Sequence, residues 1–187
     1  MRDGKLSRDR LLRAATEEFA AHGIAGARVD RIATAAGVNK AQMYSWYGSK
    51  DGLFDTVFAH HLDKIVDAVP FDAKDLPGYA VALYDSYLSD VELVRLAVWN
   101  RLERVPVGAL LAGGLTASKF EDIERAQQAG HVVADLRPED VYALVIALAG
   151  TWSPVSVTVT ASADDPDADH QRRKAALRDT VTRALVP

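Results

Sequence analysis

Cysteine is absent from the 187 residues, which excludes disulfide scaffolds, thiol nucleophiles and Cys-ligated zinc and fits a reducing, cytoplasmic setting. Long apolar runs are absent too, and no segment approaches the ~18 residues that a membrane span needs. The opening Met1-Arg2-Asp3-Gly4-Lys5 leads into a charged amphipathic segment and does not read as a secretion leader. Strand patterns are scarce. Val155-Ser156-Val157-Thr158-Val159-Thr160 alternates with period two, but no second run offers itself as a partner, so an extended connector is expected there. Catalytic signatures are missing as well: there is no nucleophile elbow, zinc-spaced His pair or Gly-rich dinucleotide loop. Gly113-Gly114 lacks the Lys-Ser/Thr and preceding strand of a phosphate cradle. His60 and His61 are adjacent, about 100° apart on a helix, and cannot chelate together. No metal and no cofactor is therefore expected, and the pair reads as part of a solvated face.

What is present is helical and unevenly charged. Hydrophobic residues make up 49% and charged residues 26%, an ordinary globular balance for one domain or one domain with a small satellite. The net charge of −4 hides a division. Residues 1–50 hold nine Lys/Arg against five Asp/Glu, a net of +4, whereas residues 51–187 hold 13 against 21, a net of −8. A basic head on an acidic body can bind a polyanion locally and in one orientation, although an acidic body is also a common route to solubility.

Periodicity predicts about nine helices and an all-α fold. Leu11, Leu12, Ala15, Phe19 and Ala20 form an apolar stripe on a helix over about 7–22, with Ser7 as N-cap and Gly23 as its stop. Val29, Ile32, Ala33 and Ala36 form a second, ended by Gly37. Asn39 caps a third to Tyr47, and Ser49 caps a fourth to about Val69, with Leu53, Phe54, Val57, Phe58, Leu62, Ile65 and Val66 inward. After a break at Pro70 to Gly78, a fifth starts near Asp75. Ser89-Asp90-Val91-Glu92 has capping-box spacing and opens a helix to about Arg104. Residues 105–115 read as a loop. Helices over about 117–129, 138–152 and 167–185 complete the set. Residues 163–169 read as a mobile acidic linker.

Residues 29–48 have the spacing of a helix-turn-helix. Ile32, Ala36, Val38, Met43 and Trp46 or Tyr47 can share one small core, with Gly37 where the turn needs a positive φ. An ordinary helical hairpin would look similar. The third helix, however, exposes Lys40, Gln42 and Ser45, side chains suited to base edges. Tyr44 and Lys50 flank it within reach of phosphates, and the start of the fourth helix adds an anion site.

Here the chain resembles the TetR family of one-component transcriptional repressors. The matching residues are Phe19-Ala20 with Gly23, Val29 with Arg31-Ile32-Ala33, Ala36-Gly37-Val38 with Lys40, and Met43-Tyr44 followed by Tyr47-Gly48-Ser49-Lys50 with Leu53. The resemblance implies a DNA-binding domain over 1–50 and a helical ligand-binding and dimerisation domain over 51–187. It implies a palindromic double-stranded DNA operator, a homodimer through the last two helices and a small-molecule effector. Roles transferred by position give phosphate contacts to Arg28, Tyr44, Trp46 and Lys50, and base or groove contacts to Lys40, Ala41, Gln42 and Ser45. Two residues depart from the family pattern. Arg28 stands where Thr or Ser is common, and Trp46 where His is frequent; the Trp46 indole could donate to phosphate or belong to the core.

The dimer stripe expected from the resemblance is Val141, Leu144, Val145, Leu148, Leu177, Val181 and Leu185, which could equally pack within one subunit. Tyr79, Tyr84, Tyr87, Trp99, Asn100, Phe120 and Trp152 supply aromatic surface and polar handles; Tyr84, Tyr87, Trp99, Asn100, Phe120 and Trp152 are the candidate ligand contacts, each of which could also be plain core. Arg101, Glu103 and Arg104 read as exposed charges. The rival classes are a small all-helical enzyme and an adaptor that binds partner helices. Steep loss of DNA affinity with salt separates a repressor from both.

Overall fold

The computed structural model describes the backbone of residues 2–105 and 114–187, with all side chains of these except 2–4, 65–67 and 114–115. Nine helices are found among the described residues, and no strand. None of these helices is long and apolar enough to cross a membrane. They are α1 (Arg2–Gly26), α2 (Val29–Ala36), α3 (Lys40–Tyr47), α4 (Lys50–Ala68), α5 (Leu76–Ser89), α6 (Val91–Glu103), α7 (Gly114–Gln128), α8 (Pro138–Ala149) and α9 (Asp167–Leu185). They form two compact units. The first holds α1–α3, α4 as far as Lys64, and α6; the second holds the rest of α4, α5 and the chain from α7 onward.

In the first unit, Leu11, Ala15 and Phe19 recur every four residues on α1 and are fully buried. Phe19 meets Phe54 of α4 edge to face at 5.2 Å, and Phe54 stacks on Phe58. α2 buries Val29, Ile32, Ala33 and Ala36, a helical stripe at one-turn spacing. Gly37 adopts φ +65°, ψ +36°, and the N–H groups of Gly37 and Val38 donate to Thr34 and Ala33 carbonyls, closing α2 in a Schellman turn. Asn39 Oδ1 then accepts the Gln42 N–H at 2.7 Å, and Ser49 Oγ accepts the Gly52 N–H at 2.9 Å, so both expected N-caps form.

The second unit packs α5, α7, α8 and α9 around one core. Leu76, Ala80, Leu83 and Tyr84 meet Ile123, Val141, Val145, Leu177, Val181 and Leu185 in it. Asp75 caps α5 by accepting the Gly78 N–H, with Pro77 in the first turn, where its missing N–H costs nothing. Gln127 Nε2 donates to the carbonyls of Val133 and Leu136, each at 2.8 Å, which fixes the chain between α7 and α8.

Several boundaries and packing partners differ from the sequence pattern. α1 begins at Arg2, not Ser7, because the polar residues before Ser7 continue the helix; the Ser7 hydroxyl accepts from Arg10 instead. Gly23 does interrupt α1, at φ +71°, ψ −177°, but one further turn runs on to Gly26. Ser89 is the last residue of α5, its hydroxyl donating back to the Ser86 carbonyl, so the capping box does not form and α6 follows Asp90 directly. α7 starts earlier, at Gly114, and α8 ends earlier, at Ala149. Residues 106–113 of the expected loop, and the inward side chains of Ile65 and Val66, lie outside what is described. Residues 155–160 form no strand, in keeping with a connector, and Val157 is 99% exposed. The acidic linker is tied down in part: Asp165 accepts from the buried Arg173 at 2.6 Å and from the Ser162 N–H.

Candidate nucleic-acid interface

The exposed surface of α3 is held outward by a single buried side chain. Met43 is fully buried, while Lys40, Ala41, Gln42, Tyr44 and Ser45 are exposed around it. Eight residues give just over two turns, so one inward anchor leaves most of the circumference free. α3 follows α2 after a three-residue turn whose conformation is fixed by Gly37 and by the Asn39 cap. Its polar face is therefore presented on a rigid hairpin, as reading base edges requires.

Each expected contact residue has a definite setting. Arg28 stands before α2 with its side chain exposed, and its N–H donates to Glu18 Oε1 at 2.8 Å. Lys40 forms an ion pair with Asp30 of α2, which holds its ammonium above the ordinary lysine range. Tyr44 is 45% exposed. Trp46 is half-buried, edge to face with Tyr47, and Arg8 of α1 lies 5.2 Å from its ring centre. Its part exposure fits either expected role, donor to phosphate or member of the core. Lys50 is engaged at the end of α1: its Nζ donates to the carbonyls of Ala25 at 3.1 Å and Ala27 at 3.2 Å.

Three groups escaped the sequence reading. Glu18 accepts the Arg28 N–H and three bonds from the Arg31 guanidinium, at 2.6, 2.8 and 3.1 Å, with His22 at 3.8 Å. Burial raises the Glu18 pKa, yet the Arg31 and Arg28 hydrogen bonds outweigh it, and the carboxyl is held below its ordinary value. α6 grips the interruption in α1: Arg95 Nε and Trp99 Nε1 donate to the Ala20 carbonyl at 2.7 and 3.3 Å, and Glu103 accepts the Ala25 N–H at 2.8 Å. Arg104 bridges Asp51 and Asp55 and covers the Phe54 ring at 4.8 Å. Glu103 and Arg104 are thus engaged, not simply solvated, because their partners are backbone ends and carboxylates of other helices. Arg101 likewise donates to the Val105 carbonyl at 3.0 Å.

The candidate ligand contacts divide between the units. Trp99 and Asn100 belong to the first, where Trp99 binds α1 and Asn100 is buried with its carbonyl accepting from Arg104 and Val105. In the second, Tyr84 donates to or accepts from His170 Nδ1 at 2.8 Å and meets Trp152 edge to face at 6.2 Å. Phe120 meets Tyr142, a residue whose electrostatic influence also reaches Tyr87. His61 is buried with Nε2 3.3 Å from Thr16 Oγ1, not solvated as expected, and His60 is exposed beside it. Among the described residues no three acidic or histidine side chains are grouped to hold a metal.

Comparison with known proteins agrees with this arrangement. Residues 11–57 match the family described as bacterial regulatory proteins, tetR family. Residues 75–183 match the tetracyclin repressor-like C-terminal domain. The chain is 34% identical over 158 residues to the HTH-type transcriptional repressor SCO4008 of Streptomyces coelicolor, covering 82% of this chain and 81% of that protein. The crystal structure of SCO4942 from the same species superposes with a TM-score of 0.80 at 37% identity, over 95% of this chain and 97% of that one. A TetR family regulator from Pseudomonas syringae pv. tomato, 20% identical, shares the fold with a TM-score of 0.68 over 96% of each chain. The two-part match, the close relatives and the outward α3 lead to one assignment: the chain belongs to the TetR family of helix-turn-helix, DNA-binding transcriptional regulators.

Proposed function

We propose that the protein is a repressor that binds a palindromic operator as a homodimer, each α3 entering one of two successive major grooves, and that a small-molecule effector releases it. The observation that carries this reading is the exposed polar face of α3 around the single buried anchor Met43. Gln42 and Ser45 are suited to base edges, Ala41 to a thymine methyl group, and Lys40 to guanine once it leaves Asp30. Arg28, Tyr44 and Trp46 serve the flanking phosphates. Lys50 reaches phosphate only by giving up the Ala25 and Ala27 carbonyls, so its first task is to hold the end of α1 at the start of α4. A surface made for base edges and phosphates serves binding, not turnover, and we place its action in the cytoplasm, where such an operator lies. Effector and operator then weaken each other by the same factor, as linkage requires.

Selection of bound fragments from a random duplex pool tests the reading. Enrichment of two half-sites related by two-fold symmetry, spaced about 34–36 Å or a multiple apart, is the expected outcome, with affinity falling steeply as salt rises. Gln42→Ala should relax preference at one position of each half-site, worth about 1–3 kcal/mol. Tyr44→Phe should weaken all sequences alike. A pool that yields no enriched sequence even at low salt would end the proposal, and a uniform loss from Gln42→Ala would remove Gln42 from base readout.

A further inference from the structure

In the second unit, α5, α7 and α8 bring an ammonium and three phenols to one place. Lys119 Nζ lies 5.2 Å from the ring centre of Tyr142, 5.7 Å from that of Phe71 and 5.9 Å from that of Tyr79, and it donates to Tyr142 Oη at 3.2 Å. Phe71 meets Tyr79 and Tyr142 edge to face at 5.0 and 6.1 Å. Tyr79 and Tyr142 thus share one ammonium and one phenyl ring, and Tyr87 follows Tyr79 two turns along α5. Burial pushes the Tyr87 phenol up to about 12 and raises that of Tyr79 as well.

The hydrogen-bond inventory of this cluster is unbalanced. The ammonium brings three protons and each phenol one, against phenol oxygens and π faces as acceptors. Among the described residues no carboxylate is paired with Lys119, and Asp122, one turn along α7, is taken by Arg125. The ring faces attract the part-buried ammonium, and with no carboxylate paired to it, its charge is left for a small anion to meet. A groove on the same unit shares Phe71 with the cluster and is lined by two cations, Lys74 and Arg125, and two carboxylates, Asp72 and Asp122.

We infer that the Lys119–Tyr142–Tyr79–Tyr87 cluster is the anion-recognising end of a site for a small aromatic acid, whose carboxylate pairs with Lys119 and the phenols while its ring lies on Phe71 and Tyr142. The site names the chemical class of the effector, and in that respect only it rests on the proposed effector response. Charge-assisted bonds to Lys119 supply affinity that a neutral isostere cannot match, and the rings supply the apolar wall.

Calorimetric titration of the free, full-length protein with 2-naphthoate, 2-naphthamide and benzyltrimethylammonium tests it. 2-Naphthoate should bind about ten-fold or more tightly than its neutral amide, from the strength of hydrogen bonds to a charged group. Benzyltrimethylammonium should not displace it. Lys119→Met should weaken 2-naphthoate by about ten-fold or more while leaving 2-naphthamide unchanged, and Tyr87→Phe, which removes one hydroxyl and keeps the ring, should weaken the acid alone by a smaller factor. Equal binding of acid and amide, preference for the cation, no binding of any probe, or an unaltered acid affinity in both variants would overturn the inference. No DNA is present in the titration, so its failure leaves operator binding standing, and failure of operator binding leaves the titration to be read on its own.

Discussion

At the scale of single residues, the DNA-reading hairpin depends on a carboxylate that touches no DNA in the proposed complex. Glu18 is 10% exposed as a side chain and gathers the first N–H of the hairpin, from Arg28, together with the Arg31 guanidinium. A carboxyl whose pKa is lowered by folding contributes stability that is complete above its ordinary value of 4.5 and is lost as pH falls through the lowered value. Glu18→Gln keeps an acceptor for the Arg28 N–H but removes the charge facing Arg31, which is itself about half exposed. The variant should therefore lose about 1–2 kcal/mol of unfolding free energy at pH 7. That difference should shrink below pH 4.5, where the wild-type carboxyl takes up a proton. Urea midpoints of both proteins at pH 7 and below pH 4 check this, and a gap that is independent of pH would show that the charge is not what matters.

At the scale of elements, two of the positive-φ glycines of the first unit, Gly37 and Gly23, have different reasons to be glycine. At Gly37 an added Cβ meets nothing within 4 Å, so only the left-handed backbone is at stake. At Gly23 the backbone lies in a region open essentially to glycine alone, and a Cβ would stand 2.5 Å from Glu103 Oε1 and 2.8 Å from Trp99 Cε3. Gly37→Ala should cost about 1 kcal/mol, whereas Gly23→Ala should cost about 3 kcal/mol or more, from strain plus the displaced Glu103 bond. Equal losses in chemical denaturation would show that α6 does not grip the break. The same contrast explains what could be read in advance. The stripe Val29-Ile32-Ala33-Ala36, the turn at Gly37 and the Asn39 cap are local patterns, and all three are legible in the residues themselves. The α6 grip was not, because Arg95, Trp99 and Glu103 bind a carbonyl and an N–H of residues some 75 positions away, and backbone partners leave no trace in side-chain identity. The Lys119 cluster escaped for a related reason: Phe71, Tyr79, Lys119 and Tyr142 come from four separate segments, and only tertiary packing joins them.

At the scale of the whole molecule, a two-fold operator requires a two-fold protein, and burial decides which residues can supply the contact. Val141, Val145, Leu177, Val181 and Leu185 are each 2% exposed or less and fill the core of their own subunit, so five of the seven residues expected from the resemblance cannot face a partner. Sequence periodicity could not separate these uses, since one apolar stripe looks the same whichever body it meets. Leu148 is part-buried against the same core, and Leu144 remains, at 44% exposed, flanked by exposed Ala143 and Ala147 on α8. α9 exposes Ala176, Thr180 and Ala184 at one-turn spacing, small side chains that permit close approach of helices. Between α8 and α9 the connector carries Val157 and Val159, 99% and 58% exposed, with its ends closed by the Ala161 N–H on the Trp152 carbonyl. We propose these exposed residues as the dimer contact. Leu144→Glu should leave the fold intact by circular dichroism, because the side chain already reaches water, yet convert the dimer to monomer in sedimentation at micromolar concentration. Val145→Glu, by contrast, should unfold the second unit, since it places an unpaired charge in a sealed core. The Leu144→Glu monomer should also lose most of its operator affinity, as each half-site is then held by one hairpin without the second to raise its effective concentration. A Leu144→Glu protein that sediments as a dimer and binds the operator undiminished would place the two-fold contact on some other face.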